Sequence, residues 1–276
     1  MFLALCTKVT QGLSLDESIA IAVRYGFSGI EIFGLPEHLP PDTPKEEVVR
    51  YADVITDAGL RVSCLATYVG PYHDADDQKR QELLSQLRGY CRFADLLGCN
   101  LIRQGTAYKA PNQLSEEEWQ RTADGLRAAA DVAAEYEKRI VLETHDGQVV
   151  ETPQATLRLL EMIDRENVGI TFDPANHVTH LDEWLEAVAG PLAERVWNVH
   201  VKDTTVDRQQ RLFGQGDVNY GGVWQALAQA GYDGPIGVEC HAQRTDEWPA
   251  ERIVEHEIQA VRNSLLASPL AARLQN

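Results

Sequence analysis

Glu143, Asp173, His200 and Glu239 each close a short apolar run, at residues 140–142, 168–172, 196–199 and 236–238. Three carboxylates and an imidazole form a donor set for a hard or borderline divalent cation. Taken singly, each residue has a plainer account. Either glutamate could be a charge at a strand rim, Asp173 before Pro174 could serve only a turn, and His200 could be a hydrogen-bonded core residue. Four such endings in succession suggest four ligands brought to one place.

The elements that would position them follow from periodicity. β-rich runs recur near residues 2–6, 29–33, 61–66, 100–104, 140–144, 168–173, 196–201 and 236–240. Longer amphipathic stretches lie between them. Ser14 with Glu17 and Ser115 with Glu118 have capping-box spacing, and Thr43-Pro44 and Thr152-Pro153 place a cap before a first-turn proline. Helical crossovers connect strands in parallel, so eight βα units predict an α/β fold, a single-domain (β/α)₈ TIM barrel over residues 1–276, with a doubly wound open sheet as the alternative.

Strand parity supports this arrangement, because side chains alternate between faces. Leu142, Ile170 with Phe172, Trp197 with Val199, and Ile236 with Val238 form a bulky set that should face the helices. The other parity carries all four candidate ligands into the barrel, at the C-terminal strand ends where barrel active sites form. The same parity continues to His145, Lys202 and His241, candidates for substrate contact or an outer shell. Glu31 also points inward, as a buried paired carboxylate or a substrate contact near Phe33.

Composition narrows the partners. The 276 residues carry 42 acidic and 25 basic side chains, a net charge of -17. Such a chain repels phosphate backbones and anionic lipid, so neither nucleic acid nor a membrane is expected, and a small neutral substrate fits better. Five scattered cysteines without a C-x-x-C pair imply reduced thiols, used as small core residues of a cytoplasmic protein. The opening MFLALC is too short for a signal peptide and reads as the first strand. Trp119, Trp184, Trp224 and Trp248 read as packing residues or part of a homo-oligomer interface.

The ordered set GFSGIEIF (26–33), VLETHDG (141–147), TFDPANH (171–177), NVHVKD (198–203), FGQGDVNY (213–220) and GVECH (237–241) resembles the sugar phosphate isomerase/epimerase family of xylose-isomerase-like barrels, with ketose 3-epimerases, hydroxypyruvate isomerases and inosose dehydratases among its members. The resemblance implies one divalent metal on Glu143, Asp173, His200 and Glu239, manganese foremost, with magnesium, cobalt or zinc as alternatives. It makes Glu143 and Glu239 the acid/base pair. The implied activity is isomerisation or epimerisation of a sugar or related keto-polyol through a metal-stabilised enediolate, in carbohydrate metabolism. A lyase, an inosose-type dehydratase or keto-sugar β-eliminase, is the runner-up. An abasic-site endonuclease and a non-catalytic sugar-binding barrel rank behind.

Two departures bear on substrate choice. Asn176 stands where relatives often have histidine, with His177 next, and Val206 replaces an arginine found in some ketose epimerases. Asn176, His177 and Arg208 are therefore substrate-binding candidates, Arg208 balanced against a solvated loop charge. His177 and His180 have H-x-x-H spacing, for which a solvated loop pair is favoured over a second metal site. The glycine-rich stretch 211–222 is no dinucleotide fingerprint and reads as a loop over the mouth, Gly221 and Gly222 permitting its turn rather than binding phosphate.

Overall fold

In a computed structural model of the chain, residues 1–241 and 248–275 are described. The barrel strands are β1 (Phe2–Cys6), β2 (Gly29–Phe33), β3 (Arg61–Ala66), β4 (Leu101–Gln104), β5 (Arg139–Glu143), β6 (Val168–Phe172) and β7 (Val196–Val201). A two-stranded ribbon follows, β8 (Asp203–Thr204) with β9 (Gln210–Arg211), and β10 (Pro235–Val238) completes the barrel. The barrel is closed and parallel in the order β1-β10-β7-β6-β5-β4-β3-β2. All eight sequence-predicted strands are present, and the open sheet is excluded.

The helices are α1 (Leu15–Arg24), α2 (Lys45–Asp57), α3 (Asp77–Leu96), α4 (Glu116–Ala134), α5 (Pro153–Ile163), α6 (Leu181–Ala189), α7 (Tyr220–Gln229) and α8 (Ala250–Leu266). Both capping boxes form, Ser14 with Glu17 and Ser115 with Glu118, satisfying first-turn amides that have no partner within the helix. Thr152 caps α5 as its spacing predicts. Thr43 does not cap α2. Its hydroxyl donates to Pro40 O at 2.7 Å instead, and Pro44 occupies the cap position without a side-chain bond.

Leu142, Ile170, Phe172, Val199, Ile236 and Val238 join one continuous core between strands and helices, as parity requires. Trp197 is the exception. The β6–β7 register jumps between Ile170 and Thr171, so Val196 pairs with Ile170 and Asn198 with Thr171. The skipped Trp197 turns inward and packs with Cys64, Leu101 and Val141, over Gly169, where a Cβ would collide with its ring. The bulge closes one end of the barrel interior, and Asn198 and His200 keep their inward parity beyond it.

The five cysteines are free and buried, and Trp119, Trp184 and Trp224 are core residues. Among the described residues, no helix is long and apolar enough to cross a membrane.

Candidate metal centre and catalytic pocket

Glu143 is the last residue of β5, and Asp173 directly follows β6, where its carboxylate accepts from the amide of Ala175 and starts a 3₁₀ turn. His200 lies one residue before the end of β7, and Glu239 directly follows β10. One ligand atom from each of the four falls within 4.8 Å of the others. Metal bonds to oxygen or nitrogen run about 2.0–2.2 Å, so ligands facing each other across an ion stand about 4.2 Å apart. Donor set and spacing fit a divalent metal.

The ring of His200 is fixed from behind. Its Nε2 donates to Glu31 Oε1 at 2.9 Å, and Glu31 Oε2 accepts from Asn198 Nδ2 at 3.1 Å. The other nitrogen, Nδ1, faces Glu143 Oε1 at 3.4 Å, Glu239 Oε2 at 3.3 Å and Asp173 Oδ2 at 4.0 Å, with no well-formed hydrogen bond. It is the ring nitrogen that could hold a metal. Glu31 is fully buried beneath it, a paired carboxylate rather than a substrate contact.

Three concentrated carboxylates demand cations. Lys202 Nζ lies 2.7 Å from Asp173 Oδ2 and 3.2 Å from Glu239 Oε2. Arg103 is bonded to Glu143, and its guanidinium also donates to Thr67 O. Burial raises a carboxylate's pKa, but at Glu143 Arg103 and then His200 outweigh it and hold the group well below the usual range. At Glu239 Lys202 and the His200 and His241 rings do the same. At Asp173 burial wins over Lys202, and the pKa is raised. For His200 burial opposes the charge, yet Glu31 foremost overcomes it and the pKa rises.

The centre opens into a cavity of about 200 Å³. That is smaller than the roughly 300–1,000 Å³ of drug-sized sites, and suits a small polyol. Glu143, Glu239, Lys202, His145 and His241 line it. His241 Nε2 pairs with Glu239 Oε1 at 2.9 Å. Lys8, Phe33, Tyr68, Arg103 and Tyr108 also line it, and sequence reasoning had given none of them a site role. Arg103 had left a signal, since it pairs in register with inward-facing Val141.

Three further candidates are placed away from the cavity. Asn176 Nδ2 donates to Thr144 O at 3.0 Å, tying the β6 loop to β5. Arg208 is an exposed rim residue bonded to Asp146. His177 corrects the solvated-pair expectation: the 3₁₀ turn folds it fully under the surface, stacked on Trp184 at 4.5 Å with His180 edge-on at 5.2 Å. Burial pushes its pKa well below the usual imidazole range.

The glycine-rich stretch is organised by Asp203, whose carboxylate accepts from the amides of Gly214 at 2.8 Å, Gly216 at 3.0 Å and Val218 at 3.4 Å. A Cβ at Gly216 would collide with that carboxylate. Gly221 and Gly222 do not make a turn. They lie in the first turn of α7, where Asn219 caps the Gly222 amide and a Cβ at Gly222 would strike Leu185.

A closed parallel barrel with a carboxylate–histidine centre at its C-terminal mouth defines a class, and residues 19–264 match the family described as xylose isomerase-like TIM barrel. The chain belongs to that family. It is 26% identical to the 3-dehydroshikimate dehydratase of Bacillus anthracis over 163 residues, 59% of this chain and 57% of that protein. It is 25% identical to the L-ribulose-5-phosphate 3-epimerase of Shigella sonnei, with 87% of this chain and 86% of that one covered. The chain spans little more than half the length of the first curated relatives it matches. The crystal structure of the IolI protein with a bound zinc atom superposes with a TM-score of 0.84 at 18% identity, covering 97% and 99% of the two chains.

Proposed function

We propose that this protein is a divalent-metal-dependent isomerase or epimerase that moves a proton next to the carbonyl of a small sugar or related keto-polyol. The observation that carries the reading is the convergence of Glu143, Asp173, His200 and Glu239 at the floor of a polar cavity that both glutamates line. Glu143, Asp173, His200 and Glu239 would hold a divalent metal, which would supply Lewis acidity to polarise a substrate carbonyl and acidify the neighbouring C–H. One glutamate takes that proton. Its electron pair moves into an enediolate, whose charge the buried Lys202 and Arg103 cations offset. Return of a proton to the opposite face of the same carbon inverts it, and return to the neighbouring carbon isomerises the sugar.

Dehydration is a second reading, favoured by the unlike partners of the two glutamates. Arg103 holds Glu143, whereas Glu239 contacts the Lys202 cation and the His241 imidazole, a group able to relay a proton to a leaving hydroxyl. Named relatives include both dehydratases and an epimerase.

The test is incubation of manganese-loaded protein with a keto-sugar panel in deuterated water, followed by NMR and mass spectrometry. Deuterium gain next to the carbonyl with the carbon skeleton and hydroxyl count retained supports the isomerase reading. Loss of one water assigns the dehydratase. If neither occurs while metal and sugar both bind, the protein is a binding barrel.

A further inference from the structure

The acidic chain contains a cavity whose exposed charge runs the other way. Among its lining residues Lys8, Arg103 and Lys202 are cationic, and only Glu143 and Glu239 are anionic. Counting Asp173 and Glu31 buried beneath them, four carboxylates face three cations, and a divalent metal turns that balance positive. A protein of net charge -17 repels anions in general. A local excess of positive charge inside it selects for one.

The cations are placed asymmetrically. The four metal-ligand candidates come from the contiguous arc β10, β7, β6 and β5. Lys8 follows β1 on one flank of that arc, and Arg103 lies in β4 on the other. Tyr68, after β3, closes the far wall between them. The guanidinium of Arg103 stands 5.0 Å from the ring centres of both Phe33 and Tyr68, a stacking that fixes its plane. Its three hydrogen bonds to Glu143 and Thr67 leave one N–H on each terminal nitrogen.

Lys8 has no role in the metal centre. It sits in a tight turn held by Val9 N to Cys6 O at 3.0 Å and Thr10 N to Thr7 O at 3.1 Å. Among the described residues its ammonium makes no ion pair or hydrogen bond, although it lines the cavity. The turn thus fixes the backbone of a cation on the wall of a small polar cavity, and among the described residues its ammonium has no hydrogen-bond acceptor of its own.

We propose that Lys8 and Arg103 form an oxyanion-binding subsite on the cavity wall flanking the metal centre, and that the substrate is a keto-polyol carrying a carboxylate or a phosphate. This rests on the function proposed above, with the carbonyl end at the metal and the anionic end against Lys8. It replaces the neutral substrate that the overall charge implies.

Calorimetric titration of the manganese-loaded and metal-free protein with erythritol, D-erythronate and erythritol 4-phosphate tests it. At least one anion should bind about tenfold or more tightly than erythritol, as charge-assisted bonds require. Preference for erythronate assigns a sugar acid, and preference for the phosphate assigns a sugar phosphate. Lys8→Met should remove most of the preference without loss of the circular-dichroism spectrum, and Arg103→Lys, which keeps the charge but loses the fork, should reduce it. Equal affinity for all three probes, no binding of either anion, or an unchanged preference in Lys8→Met overturns the inference. Failure to bind manganese defeats the proposed function instead, and the difference in anion affinity between wild type and Lys8→Met, measured in metal-free protein, still decides the subsite.

Discussion

Glu31 accepts the Nε2 hydrogen of His200 at 2.9 Å, and this bond decides which nitrogen of the ring faces the carboxylates of Glu143, Glu239 and Asp173. Such outer-shell carboxylates fix the tautomer and raise ligand basicity, and their loss costs about 10–100-fold in metal affinity. Glu31→Gln should therefore weaken manganese binding by that factor, read by competition with a chelating dye. Wild-type affinity in the variant would show that packing alone holds the ring.

The glutamates should differ as bases. Arg103 is bonded directly to Glu143, while Glu239 contacts the His241 ring and the Lys202 ammonium. Glu239→Gln should cut exchange of solvent deuterium into a bound keto-sugar by about 10²–10⁴-fold, the usual worth of a positioned base. Glu143→Gln should cost less. Sugar binding measured alongside should persist in both, and undiminished exchange in the two variants would remove them from proton transfer.

Asp203 anchors the loop before α7 through three backbone amides. Hydrogen bonds to a charged group are worth about 1.5–3 kcal/mol each. Asp203→Ala should lower the thermal midpoint by several degrees and make the peptide between Phe213 and Val218 the first site of limited proteolysis. Gly216→Ala should mimic it, since the added methyl displaces the same carboxylate. A cleavage pattern identical to wild type would assign the loop's order to other contacts.

Glu257 on α8 accepts from Phe213 N at 2.9 Å and is fully buried, which pushes its pKa up to about 7, Asp203 adding to the rise while the amide and Cys240 oppose it. The folded protein thus binds a proton more tightly than the unfolded chain. The stabilisation is complete below the unfolded value near 4.5 and is lost as pH rises through about 7. Glu257→Gln, which cannot titrate, should gain stability relative to wild type between pH 5 and pH 8, by about 3 kcal/mol at most. Urea midpoints at the two pH values measure this, and a constant difference would place the titration elsewhere.

The strands and the inward convergence of Glu143, Asp173, His200 and Glu239 were legible in the sequence because a strand's period of two and its end position are local facts. Asp173 and Glu239 needed only parity and the end of an apolar run. Trp197 misled because a bulge breaks that parity, and a bulge depends on the neighbouring strand's register rather than on the residue itself. His177 misled because its burial comes from Trp184 on the following helix, a tertiary contact invisible to local pattern. Arg103 and Lys8 were overlooked since neither ends an apolar run. Their significance lies in facing the same 200 Å³ space from strands distant in the chain.

The first and last barrel strands are neighbours, Leu5 pairing with Val238. Lys8 lies shortly beyond one side of this junction and Glu239 directly beyond the other. The pairing has the greatest sequence separation in the barrel, and contacts of that kind carry the largest loop-closure cost in folding. Closing the seam is therefore also what brings Glu239, just beyond β10, to Glu143, Asp173 and His200, which come from the adjacent strands β5, β6 and β7. A metal held by all four would tie the seam to the rest of the barrel.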